Sequence, residues 1–428
     1  MMALAHALQN RGHHVVLFGI ADTEARVRAA GIEFHRIGAE EYPLGTLKKL
    51  DEQISRLTGL AAVRLTLERV RKLARMELRD GPRALRETGV EALLVDEADF
   101  AGSVADSLSL PWISIALLPP LVDDDRIPPF WIGWEAREDV LGRLRNRLAV
   151  RALTRMASPI LNEVNRQRKA WGLKVHVQPG EWLSPIAQIT QLPEAVEFKL
   201  NGARPQGLYY TGPFVAPQQR PATGFPWERL DGRPLIYASL GTFQNGLPAI
   251  FKTIAQACAG LDAQLVIALG GGLDPARMGS LPGDPLVVRF APQLDVLKRA
   301  ALVITHAGIN TALESLSEGI PFVAIPLGND QPGVAARVKA RGAAVVVARR
   351  RLTAERLRSA IRLVLYEDRY RRAAQQLQQA IRQMNGTAYA AGLIEQVLQL
   401  RPAQARKSSD GGAPGPPHLG TRETTIAT

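Results

Sequence analysis

Short apolar runs alternate with longer amphipathic stretches along most of this chain. Residues 15–18, 93–95 and 112–116 are near-continuous apolar runs, the pattern of strands covered on both faces. Helical periodicity fills much of 46–88 and 135–172. The pattern resumes with strands at 235–238, 265–269 and 302–304 and a helix at 247–259, and strand–helix units continue to about residue 380. Such alternation predicts an α/β fold of parallel sheets with helices on both faces. Residues 201–234 are rich in proline and glycine and include PFVAPQQRPATGFP, which predicts a linker between a first domain (1–200) and a second (235–382). A further helix is expected at 383–401. From Pro402 onward apolar periodicity is lost, so 402–428 is expected to be disordered.

The opening departs from this alternation. A βαβ unit begins with a strand, whereas residues 1–10 read as a helix, stopped at Arg11-Gly12 ahead of the strand at 15–18. The first domain is therefore expected to lack its first strand and the loop after it, with the true start upstream.

The stretch with most chemistry is 289–331, RFAPQLDVLKRAALVITHAGINTALESLSEGIPFVAIPLGNDQ. It reads as a strand, a tight turn through His306-Ala307-Gly308, a helix from near Asn310 or Thr311, a second strand, and the pair Asp330-Gln331. Unpaired N–H groups and the dipole at that helix start suit phosphate oxygens. Gly308 lets the backbone approach them, and His306 adds a side-chain donor. Plainer roles compete. Thr311 and Glu314 form a T-x-x-E capping box, and Asp330 suits the cap of a helix with Pro332 in its first turn. A second small-residue turn, Ser239-Leu240-Gly241-Thr242, follows the strand at 235–238 and leads to the helix at 247–259. Gly270-Gly271-Gly272 reads as a turn on the same rim. No GxGxxG or P-loop lysine motif occurs, so a dinucleotide or ATP site is not supported.

Taken in order, Phe290, Ala291-Pro292-Gln293, the His306 turn, Glu314 and Asp330-Gln331 resemble the donor signature of the UDP-sugar-dependent glycosyltransferases of the GT-B fold, whose two Rossmann-like doubly wound domains face a cleft. The resemblance runs over about residues 1–400. Through AQITQLPE (187–194), YASLGTFQ (237–244), IFKTIAQAC (250–258) and NDQPGVAARV (329–338) it extends to the bacterial zeaxanthin glucosyltransferases. It implies that Phe290 stacks on uracil in place of the family's tryptophan, and that Ala291 pairs with the base through its backbone. Gln293 and Glu314 would bind the ribose. His306 would meet the diphosphate, with the backbone around Gly308, Asn310 and Thr311 and the loop of Ser239, Gly241 and Thr242. Asp330 and Gln331 would bind the sugar hydroxyls, a pair that in the family implies glucose. The last helix would cross back to the first domain. No metal and no cofactor beyond the UDP-sugar co-substrate is implied.

The family's reaction inverts the anomeric centre and needs a base for the acceptor proton. In the family a histidine on the first βα loop serves, oriented by an aspartate that Asp96 matches. That loop would precede Met1. His6, His13 and His14 lie at no C-terminal strand edge and read as structural; Asp96 also suits a helix cap. The implied function is transfer of glucose from UDP-glucose to a hydroxyl of a lipophilic acceptor, a carotenoid such as zeaxanthin. Alternatives are another aglycone (macrolide, flavonoid, sterol), or a nucleotide-sugar-binding relic without its base. A GT-B epimerase would need an acid/base set near the sugar that the sequence does not offer.

Composition narrows the setting. The single cysteine, Cys258, forms no internal disulfide, and no apolar run reaches membrane-spanning length. No leader pattern opens the chain. A cytoplasmic location is expected, or a peripheral one at the inner face of a membrane. The net charge of +12 includes Arg64, Arg69, Arg71, Lys72, Arg75, Arg79, Arg83 and Arg86, then Arg143, Arg145, Arg147, Arg151 and Arg155. With leucine and valine interleaved, these read either as solvated helix faces or as a surface for an anionic bilayer. No nucleic-acid-binding motif accompanies the charge. The proline-rich stretch 119–133 reads as a loop over a pocket, and Trp131 and Trp134 are candidates for an apolar acceptor site, with core packing the competing role.

Overall fold

In a computed structural model, residues 1–47, 49–50, 60–177, 179–202, 205–215, 224–242, 246–400 and 425–427 are described. The apolar runs of the first half become β1 (His14–Gly19), β3 (Ala92–Asp96) and β4 (Trp112–Ala116), joined by β2 (Glu33–Arg36), β5 (Gln188–Thr190) and β6 (Leu208–Tyr210). All five residues of β4 are buried, as its unbroken apolar pattern requires. Helices α1 (Met2–Gln9), α2 (Ala21–Ala29), α3 (Leu60–Thr88), α4 (Ala101–Ser107) and α5 (Val140–Ala170) accompany this sheet. One core joins Leu4 and Leu8 to Val15 and Ile113; a second joins Leu78, Leu85 and Ile160 to Leu93 and Trp112.

The first sheet is wholly parallel, in the order β2-β1-β13-β3-β4-β5-β6. Its third strand, β13, is Thr425–Ala427. This corrects two expectations. The tail is ordered at 425–427, and the central position expected to be vacant is filled. Val15 pairs with Ile426 on one side and Ile426 with Ala92 on the other. Ile426 is fully buried in the core with Val15 and Ala92. The physical reason is the need of β1 and β3 for partners: unpaired buried N–H and C=O groups are costly, and a short β-branched segment satisfies both strands. Three residues are too few to register as periodicity. The rest of the expected tail, 402–424 and 428, lies outside the described residues.

The second sheet comprises β7 (Leu235–Ser239), β8 (Gln264–Ala268), β9 (Leu286–Val288), β10 (Ala300–Thr305), β11 (Phe322–Ala324) and β12 (Ala344–Val346). It too is parallel, in the order β12-β11-β10-β7-β8-β9. The chain winds outward from β7 through β9, then returns to β10 and winds the other way. The β7/β10 pair is therefore the switch point, and the crevice at its C-terminal edge is where such sheets bind ligands. The helices are α6 (Pro248–Cys258), α7 (Gln293–Leu297), α8 (Ile309–Ser317), α9 (Gln331–Ala340), α10 (Ala354–Tyr366), α11 (Asp368–Met384) and α12 (Gly386–Val397).

The helix expected at 383–401 starts instead at Gly386, because Asn385 adopts a left-handed conformation (φ +45°) that ends α11 and redirects the chain. Its apolar face, including Ala390, Ala391 and Ile394, enters the first domain's core beside Leu4 and Leu8. Glu395 accepts from Arg11 and meets His13 Nε2 at 2.9 Å. His13 is thus a buried structural partner, and His14 lies 3.1 Å from Thr425 Oγ1.

The two domains also meet through α9. Arg337 Nε donates to Glu197 Oε1 at 2.7 Å, with the two side chains 1% and 0% exposed, and the guanidinium lies over the Phe198 ring at 4.9 Å. Gly333 fits against the first domain's backbone: a Cβ there would lie 2.0 Å from the Phe130 carbonyl oxygen.

If β13 completes the sheet, Ile426→Ala removes buried methyl groups between two strands and should cost roughly 2–5 kcal/mol. Urea unfolding of the full chain measures this. A variant within experimental error of the parent would show that the strand does not carry this load.

Candidate functional site

At the switch point Ile304 pairs with Ala238 and Thr305 with Ser239, so the loops after β10 and β7 leave side by side. The His306 ring is wedged between two glycines. A Cβ on Gly241 would lie 2.7 Å from His306 Cε1, and one on Gly308 would lie 2.5 Å from Nε2. Gly241 also has φ +74°, which disfavours any side chain. Ala307, between His306 and Gly308, is fully buried with φ +64°, and its N–H donates to Thr305 Oγ1 at 3.2 Å. A non-glycine residue held left-handed costs about 1–2 kcal/mol, so this turn is held in place by its surroundings.

The turn delivers the chain into α8, which begins at Ile309 with Gly308 as its cap residue and no side-chain cap. The capping box suggested by Thr311 and Glu314 is therefore not formed. Thr311 lies within the first turn, and Glu314 Oε2 instead accepts from Gln293 Nε2 at 2.6 Å. The first N–H groups of α8 have no acceptor within the helix, which suits an anion. Burial pushes His306 down to about 4, against a hydrogen bond with the Ser239 backbone. Near neutrality the imidazole is uncharged and its single N–H is given to the Ser239 backbone, from which a bound anion would draw it away. Thr242, expected in the same loop, is exposed.

Gln293 opens α7. Its Oε1 accepts from the Tyr237 hydroxyl at 3.1 Å, and its Nε2 lies 3.4 Å from Thr311 Oγ1. Gln293 and Glu314 are thus brought together. Phe290, just past β9, is 46% exposed. A Cβ on Gly271 (φ +86°) would lie 2.6 Å from its Cζ. The triple-glycine loop, read from sequence as a plain turn, is the floor beneath that ring. Ala291 is half-buried against the second domain's core.

Asp330 caps α9 in position only: it has helical backbone angles and makes no side-chain cap hydrogen bond. Its carboxyl is 8% exposed, and Oδ2 has no partner among the described residues. Burial pushes it up to about 6, against N–H groups of its own residue and Ile309. Gln331 Oε1 accepts from Leu327 N (2.7 Å) and Gly328 N (3.0 Å), which fixes the preceding loop. Asn310 Oδ1 accepts from Gln191 Nε2 of the first domain at 3.2 Å. Phe290, the His306 turn, the Ser239–Thr242 loop and Asp330 all follow strands β9, β10, β7 and β11, and so share the C-terminal edge of one sheet.

Across from these loops, Trp131 and Trp134 are half-buried. Trp131 packs edge-on to Phe130 at 5.2 Å, and the Arg145 guanidinium covers Trp134 at 4.4 Å. Asp96 ends β3. Its Oδ1 accepts from Ala98 N at 3.0 Å, while Phe100 is the cap residue of α4, so Asp96 does not cap that helix. It lines a cavity of about 230 Å³ with Glu77, Asp99, Phe18, Met1 and Ala427. Burial raises all three carboxyls: Asp96, Glu77 to about 7, and Asp99 well above the usual range, with Glu77 and Asp96 adding to the last. No histidine lines this cavity among the described residues. Glu77 and Asp99 were not singled out from the sequence. The available signal was the helical spacing Ala74, Glu77, Leu78, Gly81, Leu85, which puts a carboxylate on a core-facing stripe.

The profile of the family "UDP-glucoronosyl and UDP-glucosyl transferase" matches residues 227–389. A zeaxanthin glucosyltransferase of Pantoea ananas is 31% identical over 402 residues, 92% of each chain. One of Pseudescherichia vulneris is 32% identical, over 92% of this chain and 94% of that protein. The chain belongs to this glycosyltransferase family. Among solved structures, the glycosyltransferase of kitacinnamycin superposes with a TM-score of 0.69 at 22% identity, over 92% of this chain and 94% of that one. The glycosyltransferase VinC, solved in complex with dTDP, gives 0.66 at 19% identity, over 93% and 96%. These likenesses establish the two-domain GT-B fold. The family implies an enzyme that takes a nucleotide-sugar donor and a small-molecule acceptor.

Two predictions follow from the site's packing and charge. Gly333→Ala places a methyl group 2.0 Å from the Phe130 carbonyl oxygen, so α9 must shift off the first domain. Urea unfolding should register a loss of about 1–3 kcal/mol; an unchanged midpoint would mean that this contact is not made. Glu77, raised from 4.5 to about 7, holds its proton more tightly folded than unfolded. Its contribution to stability is present in full below 4.5, falls as pH rises from 4.5 to about 7, and is flat above. Thermal midpoints at pH 5 and pH 8 should differ less in Glu77→Gln than in the parent, and identical slopes would refute the assignment.

Proposed function

We propose that this chain moves glucose from UDP-glucose to a hydroxyl of a lipophilic acceptor, a hydroxylated carotenoid such as zeaxanthin, with inversion at the anomeric carbon. The observation that carries this reading is the Gly241–His306–Gly308 arrangement at the open N-terminus of α8. The His306 imidazole and the first N–H groups of α8 beyond Ile309, set at a switch point, suit a diphosphate that gains charge as it leaves. Phe290 offers an exposed ring for uracil, with the loss of an indole N–H relative to the family's tryptophan. Glu314 and Gln293 suit the ribose hydroxyls. Asp330, with its unpartnered Oδ2, suits the sugar hydroxyls beside Gln331. The carotenoid acceptor is favoured by the two relatives named as zeaxanthin glucosyltransferases, matched over 92% of this chain.

A second aglycone class is favoured by one observation: a relative named 4'-demethylrebeccamycin synthase, from Lentzea aerocolonigenes, matches at 26% identity over the same share of the chain. A non-catalytic reading is favoured by another, the cavity at Asp96 with three carboxyls and no histidine among the described residues. One assay separates these. The protein is incubated with UDP-glucose and a panel of hydroxylated lipophilic acceptors including zeaxanthin, and mass spectrometry records which gains a hexose. Gain on zeaxanthin supports the proposal. Gain on other aglycones alone moves the acceptor, and use of UDP-galactose alone removes the glucose assignment. Heat on binding UDP without any transfer would establish the non-catalytic reading.

In an active preparation His306→Ala should lower turnover by about 10²–10³, the usual cost of one leaving-group donor. Ionised Asp330 accepts from sugar hydroxyls more strongly than its acid form does. Calorimetry should therefore find UDP-glucose losing its advantage over UDP as pH falls through about 6. Asp330→Asn should abolish that pH dependence, and a parent without it would remove Asp330 from the sugar site.

A further inference from the structure

The first half of α5, residues 140–156, reads VLGRLRNRLAVRALTRM, with five arginines and no acidic residue. Of the twelve large apolar side chains exposed among the described residues, five lie here: Val140 (80%), Leu141 (69%), Leu144 (48%), Leu148 (54%) and Met156 (43%). That concentration is far from the scattered exposure of an ordinary surface. Val140, Leu144, Leu148 and Met156 fall on one ridge of four-residue steps, continued by exposed Ala152. Arg143, Arg147, Arg151 and Arg155 form the adjacent ridge.

The inner side of this half-helix is polar where it is buried. Asn146 is 1% exposed and donates to the Asp125 carbonyl at 2.8 Å. Asp125 also pairs with Arg143 and Arg147, while exposed Arg151 and Arg155 make no ion pair among the described residues. The helix is therefore held by its polar side with its apolar ridge outward, the reverse of a core helix. The other basic helix, α3, does not share this character. Arg71 and Arg75 are paired with Glu163, Arg79 with Glu41 and Asp80, and Leu78 and Leu85 are buried.

We propose that residues 140–156 seat the protein on a bilayer containing anionic lipid, with the apolar ridge in the interface and the arginine ridge on the headgroups. Charge complementarity selects this occupant: an apolar ridge beside five arginines, of which Arg143 and Arg147 share Asp125 while Arg151 and Arg155 make no ion pair among the described residues, matches an anionic interface. No helix among the described residues is long and apolar enough to cross a membrane, so the contact is peripheral. The helix is tied through Asp125 to loop 119–134, whose Phe130 abuts α9 at Gly333. Seating thus places the acceptor side of the molecule near lipid. The inference rests on the lipophilic-acceptor reading for its purpose; the binding itself needs neither donor nor acceptor.

The test is flotation of the full chain with vesicles of phosphatidylcholine plus phosphatidylglycerol, and with phosphatidylcholine alone. The parent should float with the anionic vesicles and release at high salt. L144D/L148D should lower the bound fraction at least tenfold without moving the thermal midpoint. R151E/R155E should lower it about 25-fold or more and blunt the salt response, since each arginine near such a surface contributes about 1 kcal/mol, or roughly fivefold. A parent that stays with the lipid-free fraction, equal binding to both vesicles, or undiminished binding by L144D/L148D would overturn the proposal. So would sedimentation velocity showing that the apolar ridge only holds a second copy of the chain. Lipid binding without hexose transfer would leave this inference standing and remove the functional reading instead.

Discussion

The first domain depends on one pairing: three residues from the far end of the chain lie between β1 and β3. Without them the inner edges of two parallel strands would face each other unpaired in an apolar interior, which neither water nor side chains could satisfy. β13 resolves this with few atoms, because each of its residues is shared by two neighbours and Ile426 fills the core. The pairing closes a loop of more than four hundred residues, seen in the 3.1 Å contact between His14 and Thr425. That closure is helped by α12, which already brings the chain back onto α1 and fixes it through Glu395. Loop entropy grows only slowly with length, so the intervening chain adds little further cost once α12 is docked. The cavity at Asp96 inherits its wall from this strand, since Ala427 lines it.

The second domain needs no such help. Its six strands come from one continuous segment, and its crevice is shaped by local sterics. Two glycines clear space for one imidazole, and a third clears space for Phe290. The strain of Ala307 is confined within that turn. The family profile matches residues 227–389, the segment that holds this crevice.

The same contrast explains what was legible in the sequence. β4 was read at its observed limits, and the strand at 302–304 sits inside Ala300–Thr305, because doubly covered strands are apolar without interruption. The turn through His306 was legible because histidine and glycine mark it locally. The contact of Gly333 with Phe130 was not legible: nothing in either segment announces a partner some two hundred residues away. Glu77 was hidden inside a helical stripe whose neighbours are apolar, and Asp99 among loop acids. β13 was hidden by its length. The break at Asn385 was hidden because asparagine is tolerated in helices and only its left-handed angle reveals the stop. The contact of Gly333 and the pairing of β13 were concealed further because their partners lie distant along the chain.

The contact of Gly333 with Phe130 is one of several that α9 makes with the first domain. The N-terminal end of α9 carries Asp330 and Gln331 at the C-terminal edge of the second sheet, and about two turns on Arg337 is locked to Glu197 of the first domain. A buried ion pair is a weak source of net stability, because desolvation offsets attraction, but breaking it leaves a stranded charge and is costly. Glu197 Oε2 has no partner among the described residues, so the pair is not tuned for maximum stability. Its geometry is instead specific: Arg337 is held from below by Phe198 and along the helix by the Gly333 carbonyl. A rigid helix pinned at that point cannot rotate without moving Asp330. The angle between the domains and the position of the buried carboxylate are therefore one variable rather than two.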